Sequence, residues 1–300
     1  MLGITLRKAM NAKLPCLFVA LATATAQASA GSYPNADLLV EAADLARPAT
    51  AARFRVLDAR PRDQYLAGHV PGAVWVDHDA WAKAFDAGQD ADAWARRVGA
   101  LGVDLDTPVV VYDDNRSKDA ARVWWILRYW GVKDVRLLNG GWAAWADGKV
   151  SKDEPTVAPR AVKLAPQEGR LATKGQVLQL LKGEGSQIVD ARSSQEFCGE
   201  AVTAKRNGAI PGARHLEWSD VLEPKTQRFK SPEELAKLFK DAGVRLDRPA
   251  VTHCQSGGRA SVMAFTMELM GAKDVRNYYK SWAEWGNAED TPVVKPTPKK

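Results

Sequence analysis

The chain contains few of the residues from which disulfide scaffolds and metal centres are built. Three cysteines and four histidines occur in 300 residues. Cys16, Cys198 and Cys254 are too few and too scattered for a disulfide framework, and the histidines lack the spacing of a metal site. The apolar run near the N-terminus is too short to span a bilayer. The tryptophans are not interleaved with basic residues, which argues against a stacking platform for nucleic acid.

The first 30 residues have the pattern of a cleavable secretory signal. Three basic residues precede a short apolar run at 14–24, and Ala28 and Ala30 each end a small-x-small cleavage pattern. We therefore expect a periplasmic or secreted protein without a membrane anchor. Removal of this segment lowers the net charge from +6 to about +3, so the basic balance does not indicate a nucleic-acid partner.

The remaining chain carries the same series of landmarks twice. In the first copy they are Asp58-Ala59-Arg60, Gly68-His69-Val70-Pro71-Gly72-Ala73, Val109-Val110-Val111-Tyr112-Asp113 and Gly141-Trp142-Ala143-Ala144-Trp145. In the second they are Asp190-Ala191-Arg192, Gly208-Ala209-Ile210-Pro211-Gly212-Ala213, Val251-Thr252-His253-Cys254 and Ser281-Trp282-Ala283-Glu284-Trp285. Landmarks repeated in the same order predict a duplicated domain.

Each copy alternates short β-branched runs with amphipathic helical patterns. The strand patterns are apolar without alternation, as in strands that are covered on both faces. We therefore predict an α/β fold of two tandem domains, each a mostly parallel sheet flanked by helices. The expected domains span 31–148 and 171–290, with a proline-containing linker at 149–170 and a flexible tail at 291–300.

Cys254 directly follows an apolar strand pattern and precedes an apolar helical pattern. Ligands of parallel sheets bind at the carboxyl ends of the strands, where this cysteine falls. The loop glycines let backbone N–H groups converge on the sulfur, and a helix N-terminus favours the thiolate. This order of elements predicts a nucleophilic cysteine. Four residues separate Cys254 from Arg259: Gln255-Ser256-Gly257-Gly258.

Taken together, the repeated Asp-Ala-Arg, the Pro-Gly-Ala turn, the strand ending in one cysteine and the Trp-x-x-Trp pattern resemble tandem-domain rhodanese sulfurtransferases of the thiosulfate type. The resemblance covers about residues 33 to 286. It implies that Cys254 of the second copy is catalytic. The first copy, with Asp113 at the matching position, is then catalytically silent and supplies scaffold and half of the cleft.

The resemblance further implies a double displacement through a persulfide on Cys254. Sulfur would move from a small anionic donor, thiosulfate, to cyanide or another thiophilic acceptor, without a metal or other cofactor. In this reading Arg192 faces the cleft, and the guanidinium fork of Arg259 holds an oxyanion. The residues expected to bind the donor are Arg192, Gln255, Ser256, Gly257, Gly258 and Arg259, with Arg206 as a further candidate.

The loop leaves some alternatives open. Thiol phosphatases place five residues between cysteine and arginine to surround a tetrahedral phosphate, so four residues favour a single sulfur. Mercaptopyruvate-type relatives usually carry a Gly-Ser/Ala-Gly-Val-Thr run after the cysteine, which is absent here. Thiosulfate is therefore the first expectation, with 3-mercaptopyruvate as an alternative. A persulfide carrier that delivers sulfur to a protein partner is the other alternative.

Two neighbouring residues have less specific patterns. Cys198 lacks a strand-loop-helix context, which predicts a bystander, with a resolving thiol or disulfide partner as the alternative. Strand alternation turns His253 away from the side that Cys254 faces, so we expect a strand residue, with tuning of the thiol as the alternative. Two tandem domains already form an internal pseudo-dimer, which is compatible with a monomer.

Overall fold

The computed structural model describes residues 1–3, 32–146, 148–183 and 185–297. The sequence-predicted signal segment lies outside these residues except for its first three. In the first repeat the strands are β1 Leu39–Val40, β2 Arg55–Asp58, β3 Val74–Trp75, β4 Val109–Tyr112 and β5 Val135–Leu138. Its helices are α1 Ala42–Leu45, α2 Pro48–Ala51, α3 Arg62–Ala67, α4 His78–Ala87, α5 Ala91–Ala100, α6 Lys118–Tyr129 and α7 Gly141–Trp145, after a 3₁₀ turn at Ala36–Leu38.

The second repeat follows the same plan. Its strands are β6 Gln187–Asp190, β7 Arg214–His215, β8 Ala250–His253 and β9 Val275–Asn277. Its helices are α8 Lys174–Leu180, α9 Ser194–Phe197, α10 Pro232–Asp241, α11 Gly258–Leu269 and α12 Ser281–Trp285, with 3₁₀ turns at Glu168–Arg170 and Trp218–Val221. Ser231 caps the N-terminus of α10, because its hydroxyl accepts the Glu234 N–H in a capping box.

Both sheets are parallel throughout the described residues, which confirms the predicted fold class. The first sheet has the order β1-β5-β4-β2-β3, and the second has β7-β6-β8-β9. The central strands β4 and β8 are buried along their whole length, as their unbroken apolar runs predict. The loops after β4 and β8 therefore leave the carboxyl edges of two equivalent sheets.

The two repeats share one apolar core. Helices α6 and α11 pack along each other, and the rings of Trp124 and Phe265 meet edge to face with centroids 5.0 Å apart. Tyr279 of the second repeat stacks on Trp125 of the first at 5.3 Å. Buried residues of both repeats belong to a single contiguous cluster. The loop that follows β8 therefore lies at the boundary between the repeats.

The C-terminal segment corrects one expectation. We predict a flexible tail from residue 291, yet Thr291 is buried and Val294 forms an antiparallel bridge with Ala209. The indole N–H of Trp285 also donates to the Pro292 carbonyl at 2.9 Å. Backbone and side-chain hydrogen bonds thus hold residues 291–294 against the second repeat. Across the described residues, no helix has the length and apolar character needed to cross a membrane.

Candidate active site

Cys254 lies in the first position after β8, at the point where the chain turns into α11. Its side chain is 1% exposed. The Cys254 N–H donates to the Ser281 hydroxyl, and the Cys254 carbonyl accepts the Trp282 N–H, both at 3.0 Å. Gly257 has a φ of +84°, and a Cβ there would lie 2.7 Å from the Tyr279 ring. Helix α12 and Tyr279 thus fix the loop around the sulfur.

The equivalent loop of the first repeat shows what this backbone holds. The Asp113 carboxylate accepts N–H groups of four residues at 2.8 to 3.1 Å: Asn115, Ser117, Asp119 and Ala120. Burial, together with the charge of Asp119, raises the pKa of Asp113 to about 6, so the carboxylate is ionised at neutral pH. The loop and helix N-terminus of the first repeat therefore enclose a resident anion.

Arg259 begins the first turn of α11 and is engaged by a carboxylate. Its two terminal nitrogens donate to Glu196 at 2.6 and 2.8 Å in a bidentate pair. Glu196 is itself fixed, because it accepts the N–H and hydroxyl of Ser193 at the start of α9. Burial opposes the charge of Arg259, but Glu196 and Cys254 together hold its pKa above the ordinary value. The predicted oxyanion fork is therefore already occupied within the protein.

Arg192 does not lie where the resemblance implies. Its side chain is 0% exposed, and it donates to Asp190 at 2.6 Å and to the Gly208 carbonyl at 2.7 Å. Its guanidinium lies 4.2 Å from the Trp282 ring centroid. The structure corrects the expectation that Arg192 faces the cleft: its position at the strand end is as predicted, but its charge is directed into the fold.

The first repeat explains this placement, because Arg60 makes the same contacts without a cysteine nearby. Arg60 donates to Asp58 at 2.6 Å and to the Gly68 carbonyl at 2.7 Å, and it lies 3.8 Å from the Trp142 ring centroid. One arginine thus joins three of the repeated landmarks in each domain. These landmarks are repeated because they hold the domain together.

Of the remaining side chains predicted to bind the donor, two lie in the Cys254 loop and one lies elsewhere in the second repeat. Ser256 is exposed at the tip of the loop, and the Gln255 amide donates to the Thr203 carbonyl at 3.1 Å. Arg206 is directed away from the sulfur and donates to the Thr291 carbonyl at 2.6 Å and the Trp285 carbonyl at 3.1 Å. Its role as a donor-binding candidate is therefore corrected to one of anchoring the C-terminal segment.

His253 and Cys198 are both buried. The Nε2 atom of His253 lies 3.3 Å from an Asp190 oxygen, and burial lowers the pKa of His253 to about 4, so the imidazole is neutral near pH 7. Cys198 follows the last residue of α9, and neither it nor Cys254 forms a disulfide in the described chain. No cluster of metal-ligating side chains occurs among the residues described.

Sequence reasoning missed one residue at this loop, Arg122 of α6. Its Nη1 donates to the Tyr279 hydroxyl at 3.0 Å, and its Nη2 lies 2.6 Å from the point where a Cβ on Gly258 would be. Arg122 belongs to the first repeat but contacts the start of α11. When α6 is aligned with α11, Arg122 corresponds to Val262. A comparison of the two repeats in sequence could therefore have singled out Arg122, because the first repeat has a cation where the second has an apolar residue.

Comparison with known proteins agrees with this architecture. A family model described as a rhodanese-like domain matches residues 41–147 and 173–288. A thiosulfate sulfurtransferase of Azotobacter vinelandii is 32% identical over 87% of this chain and 98% of its own. The sulfur carrier protein TtuD of Thermus thermophilus is 34% identical over 77% and 87%.

Two further matches extend the comparison. A 3-mercaptopyruvate sulfurtransferase of Escherichia coli K12 is 31% identical over 79% of this chain and 86% of its own. The wild-type structure of EanB superposes with a TM-score of 0.79 and 25% identity, covering 88% of this chain and 70% of that one. Relatives in sequence and in structure thus extend across both repeats.

Proposed function

Because the chain belongs to the family of rhodanese-like sulfurtransferases and carries two such domains, we propose that it moves the outer sulfur of thiosulfate to cyanide or another thiophilic acceptor. Cys254 is the nucleophile and carries the sulfur as a persulfide. The A. vinelandii relative, named for thiosulfate and similar over nearly its whole length, supports this donor. The four-residue loop between Cys254 and Arg259 supports a single sulfur as its cargo.

The reaction is balanced without an added oxidant or reductant. In the first step the Cys254 thiolate attacks the outer sulfur of thiosulfate, a new S–S bond forms, and sulfite leaves with the electrons of the broken bond. In the second step the acceptor takes the outer sulfur, and the electrons of the cysteine S–S bond return to Cys254. Both resting and loaded states carry an anion at the same place.

The observation that carries the proposal is the resident anion of the first repeat. Asp113 shows that the loop of the first repeat holds a carboxylate through four backbone N–H groups, and the carboxylate stays ionised at neutral pH although burial raises its pKa to about 6. Cys254 occupies the matching position in the second repeat, before a helix whose first N–H groups have no intrahelical acceptor. The loop of the second repeat is one residue shorter, but it also leads from the central strand into a helix N-terminus, which favours a thiolate and a persulfide.

Thiocyanate production from thiosulfate and cyanide tests the proposal. We expect turnover by the wild type and by Cys198→Ala, a matched control that removes the other buried thiol, and none by Cys254→Ala. Mass spectrometry of the thiosulfate-treated protein should show one added sulfur on the peptide containing Cys254. No thiocyanate from the wild type would overturn the donor, and turnover by Cys254→Ala would overturn the site.

The same assay separates the alternatives. The TtuD relative is named a sulfur carrier, and Ser256 at the tip of the Cys254 loop is exposed to solvent. Delivery of sulfur to a protein acceptor is therefore the second candidate function. Faster sulfur release to a protein thiol than to cyanide would favour that role. Faster loading from 3-mercaptopyruvate than from thiosulfate would replace the donor, in line with the E. coli relative.

We also propose that the protein is exported. Support comes from the basic residues, short apolar run and small-x-small pattern within the first 30 residues. Fractionation of the native host, followed by N-terminal sequencing, tests this. A mature N-terminus directly after Ala28 or Ala30 in the exported fraction supports the proposal, and an intact N-terminus in the cytoplasm contradicts it.

A further inference from the structure

A cation of the first repeat lies at the cysteine loop of the second without a carboxylate partner. Arg122 forms no ion pair within the described residues. Its Nη1 donates to a neutral hydroxyl, that of Tyr279, and its Nε is buried without an acceptor in the described part of the chain. A guanidinium removed from water is costly unless an anion compensates it. The surrounding side chains do not supply an anion in contact with the Arg122 guanidinium, so we expect a bound anion to fill this role.

The surroundings of Cys254 identify where that anion belongs. Arg259, the cation predicted from sequence, is neutralised by the bidentate contact with Glu196. Burial lowers the pKa of Arg122, but Tyr279 and the negative charge at Cys254 hold it above its ordinary value. Asp119 also attracts Arg122, more weakly and without forming an ion pair. Among the described residues, Arg122 is therefore a positive charge at the cysteine loop that no carboxylate binds directly.

The absence of a side chain at Gly258 leaves room for the Arg122 guanidinium. An alanine Cβ at this position would lie 2.6 Å from the Arg122 Nη2 atom, closer than van der Waals contact allows. The side chain would then have to move from the start of α11. The glycine that sequence analysis assigns to the anion loop thus also admits a guanidinium from the other repeat.

We propose that Arg122 binds the anionic group of the sulfur donor and the loaded persulfide at Cys254, so that the repeat without a cysteine supplies the charge that recognises the substrate. This inference rests on the proposed function for its substrate class. Its specific content is that both repeats form one anion site. Tyr279 orients the guanidinium through the hydrogen bond to its hydroxyl.

Steady-state kinetics with thiosulfate test the role of Arg122. We expect Arg122→Gln to raise KM roughly tenfold or more, because hydrogen bonds between charged groups are among the strongest in proteins. Arg122→Lys keeps the charge and should recover part of the loss. Gly258→Ala should raise KM in the same direction by displacing the guanidinium. Arg128→Gln, at the far end of the same helix, is the matched control and should leave KM unchanged.

Alkylation of Cys254 gives a readout that does not depend on turnover. In a Cys198→Ala background, the rate with iodoacetate is divided by the rate with iodoacetamide, which cancels the reactivity of the thiol itself. We expect Arg122→Gln to lower this ratio about fivefold or more, because it removes a charged hydrogen bond to the carboxylate reagent. Thermal unfolding confirms that each variant is folded, and Arg122→Lys and Gly258→Ala replace Arg122→Gln if that variant is not.

The two proposals fail in different ways. If the wild type turns over thiosulfate but the Arg122 variants leave KM and the alkylation ratio unchanged, the role of Arg122 is overturned and the function stands. If the wild type does not turn over thiosulfate, the donor assignment falls. The alkylation ratio then still decides the role of Arg122 as the anion-binding group, because a lowered ratio supports it and an unchanged ratio refutes it.

Discussion

At the scale of single residues, charge distinguishes the two copies. The positions of Glu196 and Arg259 correspond, by alignment of the helices, to Gln64 and Asp119 in the first repeat. The ion pair is therefore particular to the copy with the cysteine, whereas the buried Asp190–Arg192 pair has an exact structural counterpart in Asp58 and Arg60. Differences between the repeats identify the chemistry, and similarities identify the scaffold.

Glu196 should moderate how strongly the site attracts anions. Glu196→Gln removes the charge that offsets Arg259, so we expect KM for thiosulfate to fall about threefold to tenfold, on the order of 1 kcal/mol for a partly screened pair. Glu154→Gln, which breaks an exposed ion pair with Arg62, is the matched control. An unchanged or raised KM in Glu196→Gln would show that Arg259 does not bind the donor even when its ion pair with residue 196 is removed.

His253 should make stability depend on pH. Its pKa is about 4 in the folded protein and 6.5 for the ordinary side chain, so between these values the unfolded chain binds a proton that the folded protein does not. The contribution of His253 to stability is therefore full above pH 6.5 and falls by about 3 kcal/mol as the pH drops towards 4. Asp113 contributes in the opposite direction, because its raised pKa of about 6 lets the folded protein bind a proton that the unfolded chain does not, so the His253 contribution is read from a variant compared with the wild type. Denaturant unfolding across this range measures the loss.

A tyrosine at this position provides the control. Tyr112 occupies the matching place in the first repeat, where its hydroxyl donates to Asp58 at 2.5 Å. His253→Tyr removes the group that titrates in this window. We expect the unfolding free energy of the variant to gain about 3 kcal/mol relative to the wild type as the pH falls from 6.5 to 4, and a constant difference between the two proteins would assign the pH dependence to other groups.

At the scale of elements, the loop-and-helix units after the two central strands are stabilised in different ways. In the first repeat four backbone N–H groups depend on the Asp113 side chain. In the second, the corresponding turn is held from outside by Ser281, Trp282 and Tyr279. Turns at equivalent places in the two repeats, 113–117 and 254–257, are thus stabilised from within in one copy and by neighbours in the other.

Asp113→Ala should destabilise the first repeat. Loss of the carboxylate leaves four N–H groups near the start of α6 without their acceptor, so we expect a loss of about 2 to 4 kcal/mol in unfolding free energy. Asp113→Asn, which retains an acceptor oxygen, should lose less. Chemical denaturation measures both, and equal losses would indicate that the charge of the carboxylate matters more than the shape of the side chain.

The elements and the place of Cys254 at a strand end before a helix could be predicted because they depend on local patterns. Apolar runs define the buried strands, and the Cys254 loop follows from its neighbours in sequence. The direction of Arg192 and the partner of Arg259 could not be predicted, because each depends on which side chain another element brings near. Arg122 reaches the loop only through the packing of α6 on α11, a contact that no spacing in the sequence specifies.

At the scale of the whole molecule, the repeats are joined by a core rather than by the linker alone. The contact of Trp124 with Phe265 and that of Trp125 with Tyr279 cross the boundary between them. Arg122 projects from the same helix, α6. The position of the Arg122 guanidinium relative to Cys254 therefore depends on how the two repeats pack against each other.

Phe265→Ala should weaken both repeats together. Removing a fully buried ring costs about 3 to 5 kcal/mol, and the cavity would lie between α6 and α11. We expect one calorimetric transition in the wild type and one, at lower temperature, in the variant. Two separated transitions, with only the second repeat shifted, would show that the repeats unfold independently.

The Asp113 carboxylate has a consequence for the different roles that the two repeats can take. A ligand that is part of the chain cannot leave, so the first loop is permanently saturated and has no cycle. In the proposed cycle, the anion at the second loop extends outward by one sulfur atom on loading and returns to the Cys254 sulfur on discharge. The side chain that fills this position, Asp113 in one copy and Cys254 in the other, is therefore one of the differences by which our proposal separates a copy that turns over from a copy that stays fixed beside it.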